Sequence, residues 1–243
     1  MTTERAPLAS LILAAGIALA GFLSGVGVAR VRSAERYVSV KGISEREARA
    51  DLAIWPLRVS SASNDLSVAH SQLENSVTRI KQFLARNKID TAEVALQEFR
   101  VTDAYTNQYG GAERITSRYV IHETVLVRSN QPDLILAASQ RLAELVNAGV
   151  VLSSGEEFGG GGPTFVFTGL NKLKPEMIAE ATARAREAAE QFARDSRTTL
   201  GGIRRANQGV FEILPRDQAQ GITEASQIVK TVRVVSTVDY LLR

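Results

Sequence analysis

The chain has 243 residues, 44% of them apolar and 23% charged, with 29 basic side chains against 26 acidic ones and a formal charge of +3. This composition excludes a disordered chain. A charge so nearly balanced, with basic residues scattered among acids as in Ser44-Glu45-Arg46-Glu47, argues against the clustered basic face of a nucleic-acid binder. The absence of cysteine excludes disulfides, thiolate nucleophiles, cysteine-ligated zinc or iron–sulfur clusters and a lipid-bearing cysteine, and it fits an oxidising compartment.

Residues 1–6 form a short polar tail. Residues 7–29 carry no charge. As a helix, this stretch reaches about 34 Å, enough to cross a hydrocarbon layer of about 30 Å. Arg5 on one side and Arg30 and Arg32 on the other mark its ends, because a charge in hydrocarbon is costly. Gly27-Val28-Ala29 resembles a cleavage site, but the apolar run is longer than a signal peptide requires. Residues 7–29 are therefore read as a retained transmembrane anchor in contact with membrane lipid. Gly21, Gly25 and Ala29 fall at intervals of four and form a candidate helix-packing face. Counting charges alone would place the body on the cytoplasmic side.

Residues 30–36 form a linker, and 37–243 are read as the folded body. Alternation over Tyr37–Ile43 predicts a strand. A second strand covers Asp51–Ser61, with Pro56 demanding an edge or a bulge and Trp55 assigned to the core. Ser63-Asn64-Asp65 offers an N-cap to a helix whose apolar stripe is Leu66, Ala69, Leu73, Val77, Ile80 and Leu84; Asn87-Lys88-Ile89-Asp90 ends it. Strands follow at Val94–Thr102 and Ile115–Arg128, the latter with Tyr119, Ile121, Val125 and Val127 on one face. The connection between them carries Tyr105, Asn107, Tyr109 and two glycines, a hairpin tip with candidate partner contacts. A helix is expected over 132–146.

Further on, Gly159–Gly162 is read as a turn rather than a phosphate loop, since no GKS or GKT follows. Thr164–Gly169 is a strand. A helix over Lys174–Leu200 is expected to bury Ile178, Ala181, Ala185, Ala188 and Phe192 and to stop at Gly201-Gly202. Strands over 203–214 and 228–241 close the chain. The expected fold is thus α+β: antiparallel sheets with helices on one face, in two strand–helix–strand–strand units (51–128 and 164–241), preceded by one transmembrane helix.

Chemistry-bearing motifs are sparse. His70 is read as a helix-surface residue and His122 as a partly buried strand residue. The acidic pairs Glu156-Glu157 and Glu45-x-Glu47 read as surface. No HExxH, GxSxG or calcium-loop spacing occurs, so no catalytic, metal-binding or cofactor-binding residue is assigned and no cofactor is expected.

Several elements in order resemble the SIMPL-domain family. They are Val38, Val40 and Gly42 in the opening strand, Asp51, Asn75, Lys88-Ile89-Asp90 and Arg118-Tyr119. Beyond them come Asn147-Ala148-Gly149, Gly155, Phe158 and the alanine-rich helix with Ala181, Ala185, Arg186, Ala188 and Ala189, closed by Leu200-Gly201. The resemblance covers 37–243. It implies an α+β fold, export or membrane tethering, oligomers that can be ring-like, an association with stress defence and no established enzymatic activity. The long apolar N-terminus departs from the plain signal peptide of many members. Export in the family outweighs the charge count and places the body in the periplasm, at the bacterial inner membrane. The expectation is a membrane-anchored, non-catalytic, homo-oligomeric envelope scaffold. Two alternatives are a module binding an envelope component and an enzyme, the latter requiring a concave site that joins a histidine to carboxylates.

Overall fold

The computed structural model describes residues 36–90, 94–105, 117–153 and 162–243, together with positions 14, 16 and 18–21. Ala14, Gly16, Ala18, Leu19, Ala20 and Gly21 are helical and exposed. The rest of the expected anchor lies outside the described residues, Gly25 and Ala29 included. Among the described residues no helix is long and apolar enough to cross a membrane.

In chain order the elements are β1 (Tyr37–Arg49), β2 (Leu52–Ser63), α1 (Leu66–Arg86), β3 (Val94–Asp103), β4 (Tyr119–Ser129), α2 (Pro132–Ser139), α3 (Ala143–Asn147), β5 (Thr164–Val166), α4 (Leu170–Asp195), β6 (Leu200–Gln208), β7 (Glu212–Pro215) and β8 (Val229–Leu242); a 3-10 turn lies at Glu224–Ser226. One sheet has the order β3-β4-β2-β5, the other β1-β8-β6 with β7 also pairing β8. The chain divides into two compact units. The smaller comprises Met1–Gly42, Thr182–Gln208 and Ser236–Arg243; the larger comprises Ile43–Ala181 and Gly209–Val235. β1, β8 and α4 contribute residues to both.

In the larger unit β2 pairs antiparallel with β4 along its whole length, Ala53 opposite Ser129 through Ser63 opposite Tyr119. Pro56 sits in that ladder opposite Leu126 without a bulge. On its other side β2 meets β5 only at Leu52–Ile54, then Leu152 through a single bridge at Val59. The Ser60 N–H and the Arg58 carbonyl both face that side, bonded to Val151 and Ser153. By strand alternation the missing N–H of Pro56 falls there too, in the gap between the two contacts, so the local edge that proline demands is present.

Helix α1 starts where Asp65 caps it, its carboxylate accepting from the backbone N–H groups of Ser67 and Val68 at 2.7 and 3.2 Å. Ala69, Leu73, Val77, Ile80, Phe83 and Leu84 are buried against Trp55, Leu57, Val59, Ile121, Val125 and Val127. Leu66 belongs to the expected stripe but remains 45% exposed, being the first helical residue at the open end. Asn87 caps the C-terminus, followed by Lys88 at φ 60°.

The single helix expected over 132–146 is two short ones. Arg141, Glu144 and Leu145 each bond three residues back, a tightening that breaks the α ladder at 140–142. Leu134, Leu142 and Leu145 nonetheless all pack on the core. The strand expected over 164–169 shortens to three residues because Asp51 captures Thr168, through its N–H at 2.8 Å and its hydroxyl at 2.7 Å.

Helix α4 runs from 170 to 195, not 174 to 200. Its buried line is Met177, Ala181, Ala185, Ala189 and Ala193 rather than one through Ile178, Ala188 and Phe192; Phe192 is 49% exposed. Within the larger unit its N-terminal part packs Met177 and Ala181 on Ala48, Val232 and Val234. Within the smaller unit Ala185 and Ala189 pack on Val38, Val238 and Tyr240. The helix ends at Arg197 in the left-handed region (φ 54°), not at Gly201-Gly202, which lie inside β6. Gly201 has another reason to be there: a Cβ would lie 3.0 Å from the Leu241 carbonyl oxygen. The closing strand expected over 203–214 is interrupted at 209–211, where a Cβ on Gly209 would lie 2.8 Å from the Val235 carbonyl oxygen.

The repeat also differs from expectation. The first strand–helix–strand–strand unit closes on itself as β2, α1, β3 and β4. The second does not, because β5 pairs with β2. Its place is taken by β1, which bonds β8 at Arg36–Leu242 and at Ala50–Ile228, an antiparallel register. The order β1-β8-β6 therefore mirrors β2-β4-β3.

Candidate functional site

β3 is the outer strand of its sheet, with β4 on one side and no other strand beside it among the described residues. Leu96 opposes Val125 and Val101 opposes Ile121, so both point to the α1 side. Simple alternation would send Glu98 there as well. A bulge between Gln97 and Arg100 prevents this: Glu98 takes φ 54°, and both Glu98 and Phe99 come to oppose Glu123. The Glu98 carboxylate turns to the other face and accepts from Thr124 at 3.1 Å and Arg58 at 3.2 Å. Phe99 takes the inner place. Leu96, Phe99 and Val101 thus form one apolar row, 48%, 53% and 44% exposed.

Beside this row lies a hollow of about 270 Å³ lined by His70, Glu74 and Lys81 of α1, Leu96 and Phe99 of β3, and Glu123 of β4. The His70 ring meets Phe99 edge-on at 6.2 Å, and its Nδ1 lies 3.7 Å from the Glu74 carboxylate. Glu123 occupies the row of β4 that otherwise buries Ile121, Val125 and Val127. Burial pushes its carboxyl above the ordinary glutamate range; His70 and Lys81 pull it down and Glu74 pushes it up. Of the two histidines, His70 therefore does reach a concave acidic site. His122 opposes Arg100, on the other face of the strand. The expected row of Tyr119, Ile121, Val125 and Val127 skipped Glu123, although a period of two places it between them.

The stem of the hairpin is stiffened by Arg118. Its guanidinium bonds the Asp103 carboxylate at 3.1 Å and lies over the rings of Tyr105 and Tyr119 at 5.5 and 4.8 Å. The Arg118 backbone N–H donates to the Asn64 side-chain oxygen at 2.9 Å. Hydrogen bonding from Arg118 holds the Asp103 carboxyl below its ordinary range. Tyr105 is 68% exposed, while Asn107 and Tyr109 lie outside the described residues. Among the described residues beyond its own helix, no atom lies within 4 Å of where a Cβ on Gly21 would stand.

A second concavity, of about 500 Å³, opens between α1 and residues 149–151 at the far end of β2. Among its lining residues are Ser60, Gln72, Asn75, Arg79, Gly149 and Val151. Nothing in the spacing of these residues announced it. Among the described residues no group of three or more histidine, aspartate and glutamate side chains is placed to hold a metal ion.

Residues 38–240 match the family model SIMPL, described as a protein of unknown function (DUF541). The chain belongs to the SIMPL family. It is 28% identical over 123 residues to the uncharacterized protein YggE of Edwardsiella ictaluri (strain 93-146), a match covering 51% of this chain and 51% of that protein. The chain thus spans about half the length of the curated relative it matches. Two positions that carry the SIMPL resemblance, Asn75 and Gly149, meet at the larger concavity.

Proposed function

We propose that this SIMPL protein is a non-catalytic assembly module of the bacterial envelope, held at the inner membrane by residues 7–29 with its body in the periplasm. It associates with further copies of itself through the open edge of β3. The supporting observation is the bulge at Glu98. It sets Leu96, Phe99 and Val101 in one apolar row, about half exposed, on a strand whose outer edge no other strand covers among the described residues. A free edge offers unpaired N–H and C=O groups to another strand. An apolar row beside it gives such a strand surface to bury, at about 25 cal/mol per Å². The hollow at His70, Glu74 and Glu123 holds proton-exchanging groups. Among the described residues Thr78 is the one hydroxyl lining it.

The test is the particle mass of the full chain in mild detergent at micromolar concentration, with a reporter fused at the C-terminus to fix orientation. The intact chain is expected to be oligomeric, and Phe99→Glu is expected to shift it towards monomer. A strictly monomeric parent chain ends the assembly reading. A protein that washes from membranes with salt alone, or that begins at residue 30 when purified, ends the tethered one.

A further inference from the structure

We infer that the concavity between α1 and residues 149–151 is a binding site for a small, singly anionic hydroxy-carboxylate. This does not rest on assembly through β3. The space of about 500 Å³ lies within the range of small-molecule sites. Beside the apolar Ala62, Val120 and Val151 its lining carries a group of polar side chains, all but one of them uncharged among the described residues. Ser60 and Gln72 contribute a hydroxyl and an amide, and Asn75 is exposed at its rim. Ser61 and Ser76 also line it, but their hydroxyls are spent on the carbonyls of Ala69 and Gln72 at 2.8 and 2.9 Å. Neutral donors and acceptors of this kind suit hydroxyls.

Among the described residues the one charge in the lining is Arg79, and no carboxylate stands opposite it there. Its Nη1 is held by the Ala148 carbonyl. Gly149, at φ +81°, lets the chain pass so close that a Cβ would lie 3.1 Å from that Nη1. The guanidinium is therefore fixed at one nitrogen, with the remaining donors of its fork available. A fork held in this way matches a carboxylate. A single guanidinium neutralises one negative charge, so the site fits a monoanion better than a phosphate dianion. Among the described residues no lining carboxylate offers a partner to an ammonium group, which disfavours amino acids and amines. Among the described residues no aromatic ring in the lining offers a platform for a sugar face, which favours an open-chain polyol acid.

Three probes share a six-carbon polyol chain and differ in charge: gluconate, sorbitol and N-methylglucamine. Saturation-transfer NMR on the full chain in mild detergent should show a saturable signal for gluconate in the millimolar range, at least about tenfold stronger than for the other two. Arg79→Gln should weaken gluconate about tenfold or more. Asn75→Asp, a change at an exposed position that leaves the fold intact, should do the same by placing a negative charge in the site. Lys81→Gln, in the other hollow, should leave binding unchanged. The inference is overturned if gluconate gives no saturable signal, if the three probes respond alike, or if binding survives both Arg79→Gln and Asn75→Asp.

Discussion

Two helices cover two antiparallel sheets in this protein, and they do so with opposite materials. α1 presents Leu73, Ile80, Phe83 and Leu84, and the sheet beneath answers with Trp55 and Val127. α4 presents four alanines in strict steps of four, Ala181, Ala185, Ala189 and Ala193, and leaves the bulk to Val232, Val234, Val238 and Tyr240 on the sheet. The same layer can thus be filled from the helix or from the sheet. Which side supplies the volume decides which substitutions hurt. In the α1 layer truncation opens a cavity, so Phe83→Ala is expected to cost about 3–5 kcal/mol in urea unfolding. In the α4 layer truncation has little to remove and insertion is the injury. Ala185→Leu is expected to cost up to about 3 kcal/mol, because close packing leaves no room for the added methylenes. A neutral Ala185→Leu would mean the alanine line is loosely covered, and the contrast would fail.

The central strands sharpen the contrast, since each carries one charged residue in its inward row. On β8 it is Lys230, fully buried, its Nζ bonded to the Glu224 carbonyl at 2.6 Å and paired with the Glu224 carboxylate. On β4 it is Glu123, only partly buried and facing a hollow. Removing one member of a buried pair leaves a charge without compensation, whereas replacing the charge with an apolar side chain of similar length is far milder. Glu224 is partly solvated and its carbonyl stays in any variant, so Glu224→Ala is expected to cost about 2 kcal/mol, less than for a fully enclosed pair. Lys230→Met should cost under about 1 kcal/mol. Equal losses in the two variants would show that the ammonium is held by the backbone carbonyl alone.

What the sequence disclosed follows the same division. α1 was legible in boundary, cap and most of its stripe, Leu66 excepted, because its large apolar residues stand out against polar neighbours. α4 was not. With Ala181, Ala185, Ala188 and Ala189 nearly alike, the strongest apolar marker was Phe192, which is exposed, and it drew the expected stripe off the true line. Gly201-Gly202 read as a helix stop because glycine usually serves that role; here the stop is Arg197, and Gly201 serves a close strand crossing. The mirror arrangement of the sheets was partly visible in element order. Nothing local, however, shows that β5 joins β2 and that the distant β1 completes the second sheet. The bulge that defines the β3 row depends on a glutamate in the left-handed region, for which no residue-type signal exists. The larger concavity joins residues 60–62, 72–79 and 149–151, and only folding brings them together.

Glu123 offers the finest test of how the α1 layer tolerates a charge that Lys230's layer has paired. Burial raises its carboxyl above the ordinary range in the folded chain, against the pull of His70 and Lys81. The sign follows from linkage: the folded state disfavours the ionised form, so ionisation costs stability as pH rises from the ordinary glutamate range through the raised folded value. Below that window the carboxyl is protonated in both states and the cost vanishes. Glu123→Gln keeps the shape and removes the charge. The variant should match the parent chain at the acid end of the window and be the more stable of the two at pH 7, by the smallest margin of these five variants. Thermal melts across that pH range would read it. A variant less stable at pH 7 than the parent would mean that attraction from His70 and Lys81 outweighs burial, making this charge as well matched in its layer as the buried lysine is in the other.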